Sequence, residues 1–121
     1  MLVERKGTQS QLMTNNAPPE NSCRPSVDVL FRSVARIYGG RSLAIILTGM
    51  GKDGLDGARQ MSEKGAFVIA QDEASSVVWG MPRAVTEAGV TDKELALKDV
   101  GRAITSHARM GMARRTLVGS R

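Results

Sequence analysis

Ile46-Leu47-Thr48-Gly49-Met50-Gly51-Lys52-Asp53-Gly54 carries an apolar strand into a glycine-spaced turn that presents one carboxylate. The carboxyl ends of buried strands are where α/β proteins carry out chemistry, so the segments on either side decide whether this is such a strand. Upstream, Pro25 suits a first helical turn, and Val27, Leu30, Phe31, Val34 and Ile37 recur at helical spacing until Gly39-Gly40. Ser42 to Thr48, rich in branched aliphatics, predicts a strand buried on both faces. Downstream, Leu55, Ala58 and Met61 share a helical face, Gly65 offers a stop, and Ala66 to Ala70 opens a second strand. A strand-turn-helix-strand unit implies a right-handed crossover. The predicted fold class is therefore α/β: a doubly wound, mostly parallel sheet with helices on both faces.

The flanks are less regular. Leu2-Val3 and Leu12-Met13 surround a polar stretch with Gly7-Thr8 at its centre, a weak hairpin pattern. Asn15 to Ser22, with Pro18-Pro19, reads as a linker. Pro82 seeds a short helix to Glu87, Gly89 ends it, and Val100, Ala103, Ile104 and His107 mark a last helix. No internal repeat is present. The chain divides into residues 1–23, a hairpin and linker; 24–108, the main body; and 109–121, a basic tail.

A length of 121 residues with 41% hydrophobic and 24% charged residues predicts one globular domain. The longest aliphatic run, Leu43 to Leu47, is far short of the roughly 20 residues of a membrane helix. Met1-Leu2-Val3 meets Glu4-Arg5-Lys6 at once, which predicts no signal peptide and no membrane insertion. Cys23 is the single cysteine, and no Cys/His cluster has metal-ligand spacing. No metal and no cofactor are expected, and the setting read from this is reducing and cytoplasmic. The formal charge of +5 is confined to the C-terminal end: residues 25–100 hold 9 Lys/Arg against 10 Asp/Glu, whereas 101–121 hold Arg102, Arg109, Arg114, Arg115 and Arg121 with no acid. That pattern, with 3% aromatic residues for base stacking, favours a solvated terminus over nucleic-acid binding.

Three readings of the turn remain open on the residues alone. Gly49, Gly51 and Gly54 satisfy G-x-G-x-x-G, with Asp72 about 20 residues on, as in a dinucleotide site. Asp53 would then stand inside a loop meant to cradle a pyrophosphate, which sets two like charges together. Alternatively, Asp53 is the N-cap of the helix that follows, with Asp56 echoing a capping box. In the third reading, Asp53 orients a histidine in a hydrolytic triad, and the flanking glycines let backbone approach a substrate carbonyl.

Three blocks carry a resemblance that bears on this choice: Arg24-Pro25-Ser26-Val27-Asp28-Val29-Leu30-Phe31, then Ile46 to Gly54, then Ala70-Gln71-Asp72-Glu73-Ala74-Ser75-Ser76-Val77-Val78-Trp79-Gly80-Met81-Pro82. Together they resemble the back half of the catalytic domain of the chemotaxis protein-glutamate methylesterase/glutaminase family, CheB. Members demethylate receptor glutamates and deamidate certain receptor glutamines. The resemblance implies a doubly wound α/β fold, makes 24–108 a partial methylesterase domain, and gives Asp53 as the triad aspartate. It also gives the Met50 backbone N–H to the oxyanion hole, with Gly49, Gly51 and Gly54 shaping the active-site loop. The implied partner is the cytoplasmic region of a methylated chemoreceptor.

The family's serine, in a G-S-[ST]-G-G segment, and its histidine both lie upstream of the matched blocks, so the chain is N-terminally truncated relative to that domain. No receiver domain of the phosphorelay type fits in it. Ser75 and Ser76 read as packing or turn residues, His107 as a structural histidine, and Cys23 stands where relatives commonly have histidine. The expectation is a chain inactive by itself, completed by an N-terminal segment in trans, with an exposed sheet edge that favours self-association. A non-catalytic interaction module derived from the domain is the alternative, and dinucleotide binding a more distant one.

Overall fold

The computed structural model describes residues 1–119, with side chains as far as Gly111. A hairpin of β1 (Leu2–Lys6) and β2 (Gln9–Met13) precedes α1 (Val27–Tyr38). The chain then runs through β3 (Leu43–Ile46), α2 (Leu55–Glu63), β4 (Phe67–Gln71), α3 (Met81–Glu87), β5 (Lys93–Leu95) and α4 (Leu97–Gly119). β3, β4 and β5 form a parallel sheet in that order, with Leu43 opposite Phe67 and Ile69 opposite Lys93. The α/β architecture expected from the periodicity is the one observed.

Parallel strands joined by helices need apolar side chains on the faces the helices cover. Ala44, Ile46, Val68 and Ala70 supply them on one face, where Ala35 of α1, Ala58 and Met61 of α2 and Val85 of α3 close the core. The opposite face is covered unevenly. α4 lies over the β4 and β5 side, where the His107 ring packs at 4.6 Å on that of Phe67. Leu43 and Ile45 are only partly buried and Leu47 is 41% exposed, so β3 is not buried on both faces as its composition predicts. Composition cannot distinguish a strand that is covered on both faces from one covered on a single face. β3 also forms an edge of the described sheet, consistent with the exposed edge expected.

Two smaller differences concern helix ends. Pro25 precedes α1 rather than opening it, because Ser26 is the N-cap and Val27 the first helical residue. α4 extends well past His107, to Gly119. Arg102 and Arg109 are exposed on it; the side chains of Arg114 and Arg115, and Arg121 itself, lie outside the described residues.

The hairpin docks on α1 through the Val3 N–H, which donates to the Ser33 hydroxyl at 2.9 Å. α1 and α2 meet at their N-termini, where Gly57 leaves no room for a side chain. A Cβ there would lie 2.5 Å from Phe31 Cβ and 3.2 Å from Asp28 Cα. In an isolated helix Gly→Ala gains about 1 kcal/mol. Here Gly57→Ala is expected to lose about 1–3 kcal/mol net through overpacking, read as a lower urea midpoint with unchanged m-value; a neutral or stabilised variant contradicts the close approach.

Candidate active site

A carboxylate just before a helix ordinarily bonds the N–H groups of that helix. Asp53 does not. Gly54, at φ 99°, is the N-cap of α2 and makes no side-chain cap bond. The Asp53 side chain instead turns to the N-terminus of α1, 8% exposed, and accepts four hydrogen bonds. Oδ2 accepts from the Val27 N–H at 2.7 Å; Oδ1 accepts from the Ser26 hydroxyl at 2.7 Å, the Asn21 amide at 3.1 Å and the Asp28 N–H at 3.3 Å. Asp53 therefore caps α1, and the reading of it as the cap of its own helix with an Asp56 capping box is corrected. The physical reason is reach: Gly54 in a left-handed conformation turns the chain so that Asp53 faces the neighbouring helix end, with the Gly54 Cβ position only 3.1 Å from Val27.

The capping is mutual. Asp28, in the first turn of α1, accepts the Gly57 N–H of α2 at 2.7 Å, so each helix N-terminus is closed by a carboxylate from the other. Asn21 joins the two, its Nδ2 donating to Asp28 Oδ2 at 2.7 Å and to Asp53 Oδ1 at 3.1 Å. Burial pushes the Asp53 carboxyl up, but the donors Ser26, Val27, Asn21 and Asp28 together outweigh it and hold the group below its ordinary value of 3.8. Asp53 is thus an anion at neutral pH, and Oδ2, with one donor, has capacity for another.

The turn from Gly49 to Gly54 is held from the other side by the segment after β4. Gln71, fully buried at the end of that strand, accepts the Thr48 N–H at 2.8 Å and donates to the Ser75 carbonyl at 2.8 Å. Thr48 exchanges bonds with Val78, Gly49 donates to the Val78 carbonyl, and the Gly49 carbonyl accepts from Gly80 and Met81. Gly80 has no room for a side chain: a Cβ would lie 2.7 Å from the Gly49 oxygen and 3.1 Å from the Gly51 nitrogen. Within this frame Met50 is 83% exposed, and its N–H donates to no protein group among the described residues. Gly51 takes φ 91°, which a side chain would resist.

The remaining sequence candidates are engaged elsewhere. Asp72 accepts the Ser75 N–H and hydroxyl, which hold its carboxyl below the ordinary value, and so closes its own turn rather than facing a ribose. The N-terminus of α2 already holds the Asp28 carboxylate, so the geometry offers a pyrophosphate no seat there. Ser76 donates to the Asp72 carbonyl. His107 stacks on Phe67, at the N-terminal end of the parallel strands, whereas Asp53 follows their C-terminal end. Cys23 donates to the Asn21 carbonyl at 3.4 Å. Sequence reasoning gave no role to Asn21, Asp28, Ser26, Gln71, Gly57 or Gly80; Ser26 directly before an apolar helical run was the one readable signal, an N-cap type at a helix start.

The model of the CheB methylesterase family matches residues 1–104. The protein-glutamate methylesterase/protein-glutamine glutaminase 1 of Rhodospirillum rubrum is 56% identical over 100 residues, which cover 83% of this chain and 26% of that protein. Its counterpart from Trichodesmium erythraeum is 51% identical over 104 residues, 86% of this chain and 30% of that one. Among solved structures, the Thermotoga maritima CheB methylesterase catalytic domain matches with a TM-score of 0.82 at 34% identity, covering 84% of this chain and 54% of that one. The chain thus spans about a quarter to three tenths of the length of these curated relatives and about half of the solved catalytic domain.

The depressed Asp53 carboxyl makes an acid-stability prediction. Its contribution is complete above the unfolded value near 4 and is lost as pH falls through the lower folded value. Asp53→Asn should cost about 2–3 kcal/mol at pH 7, and the difference from the parent chain should shrink below about pH 4 in urea titrations. A difference that does not vary with pH contradicts the assignment.

Proposed function

The chain belongs to the CheB methylesterase family, and on that premise we propose that it supplies the aspartate and one oxyanion donor of a serine-hydrolase site that cleaves glutamyl methyl esters of chemoreceptors. The serine and histidine of that site come from polypeptide outside the 121 residues. The observation that carries this reading is the Asp53 carboxylate: anionic, 8% exposed, and fixed past the C-terminal end of β3 by bonds to α1 rather than to its own helix.

In triad chemistry a serine oxygen attacks the ester carbonyl while an imidazole takes its proton. Methanol leaves with that proton, and water then releases the acyl group by the reverse transfer. Asp53 would accept the imidazole Nδ1–H at Oδ2, fixing the tautomer and stabilising the imidazolium. Its held, depressed carboxyl suits that role, because a carboxyl that protonated at working pH would stop accepting. The Met50 N–H, beside glycines that keep the backbone uncrowded, would donate to the tetrahedral oxyanion. Since the donor is main chain, the Met50 side chain is free to face the substrate. The same site would take a glutamine amide with ammonia leaving, which is how the reading extends to deamidation.

Asp53 cannot attack or relay protons alone, so the chain by itself should release no methanol from a methylated receptor fragment. Joined to a relative's segment bearing G-S-[ST]-G-G and the histidine, it should release methanol, and Asp53→Asn in that assembly should lower kcat by about 10⁴. Methanol from the purified chain alone, or full activity of the Asp53→Asn assembly, overturns the proposal.

A further inference from the structure

We propose that Asn21 is a positioning residue for Asp53, its side-chain amide holding the Asp53 and Asp28 carboxylates side by side so that Oδ2 of Asp53 stays aimed for an imidazole. This rests on the reading of Asp53 as the triad carboxylate. The two N–H groups of one Asn amide go to two different carboxylates, at 2.7 and 3.1 Å. Carboxylates accept and do not donate when ionised, so the network itself fixes which amide atom faces them.

The segment bearing Asn21 is built to present that amide. Asn21 and Ser22 take φ of 54° and 61°, a conformation Asn tolerates better than most residues. Glu20 and Cys23 exchange backbone bonds across them at 3.0 and 2.9 Å. Arg32 of α1 then grips the Glu20 carboxylate with two bonds of 2.6 Å, tying the turn to the helix whose N-terminus Asp53 caps. The charged groups linked to the pair are Glu20 of the turn, which interacts with Asp53, and Arg32 of α1, which interacts with Asp28 and with Asp56 of α2. Apart from Arg32 these are acids, and Arg32 is bonded to Glu20. Asn21 is therefore the neutral donor shared between the two carboxyl groups that meet at the helix ends. It is exposed as a residue, so removing its side chain opens no core cavity.

Those facts separate positioning from packing experimentally. Asn21→Gly keeps the positive φ at no steric cost and deletes both donors. In the full chain, carboxyl-carbon NMR titration should show the Asp53 midpoint moving up in Asn21→Gly. The variant's melting temperature should fall by roughly 5 °C at pH 7, and the deficit should shrink as pH approaches 3. Asn21→Ser, with one donor for two carboxylates, should fall between. An unmoved Asp53 midpoint, or a melting deficit equal at both pH values, overturns the proposal; so does loss of folding in both variants at every pH, which would make Asn21 merely structural. The titration reads the hold of Asn21 on Asp53 whether or not any ester is cleaved. Its failure is therefore distinct from that of the hydrolase reading, which fails on methanol release.

Discussion

Two helix N-termini cannot lie side by side without cost, because each carries partial positive charge and unpaired N–H groups. In this chain they do so, and the exchange of carboxylates makes it possible: Asp53 closes α1 at Val27, and Asp28 closes α2 at Gly57. Each carboxylate bonds the N-terminus of one helix while its own residue lies at the start of the other. Gly54 and Gly57 allow the backbones to approach closely enough for the exchange, and Asn21 is the donor shared between the two carboxyl groups. The position of Asp53, and with it any chemistry at this end of the sheet, follows from that arrangement.

The other half of the site depends on a different device. Gln71 ends β4 and reaches across to Thr48 at the end of β3, so the two strand ends and the segment from Ser75 to Met81 form one bonded unit. Gly80 fits against Gly49 and Gly51 only because it lacks a side chain. The turn that exposes Met50 is therefore shaped by backbone contacts at long sequence separation and not by the turn residues alone. Helix capping on one side and strand-end bonding on the other bring an anion and an uncommitted N–H to neighbouring positions in one loop.

Much of this was legible in the residues. Helical spacing from Val27 to Ile37, the aliphatic run at Leu43 to Leu47 and the glycine stops marked the α/β pattern, because burial imposes its period on the residues that are buried. The partner of Asp53 was not legible. A local reading pairs a carboxylate with the helix that follows it, whereas the donors here lie 25 to 32 residues away, at Asn21, Ser26, Val27 and Asp28. β5 left no trace because Lys93-Glu94-Leu95 is only three residues long and two of them are exposed. The half-covered face of β3 is illegible for the opposite reason: its residues are as apolar as those of a strand covered on both sides.

The most direct measurement of the central arrangement is scalar coupling across hydrogen bonds in isotope-labelled chain, which reports donor and acceptor pairs atom by atom. Cross-peaks are expected from the Val27 nitrogen to the Asp53 carboxyl carbon and from the Gly57 nitrogen to the Asp28 carboxyl carbon. Coupling of the Asp53 carboxyl to amides of its own helix, at Leu55 to Gly57, would contradict that arrangement.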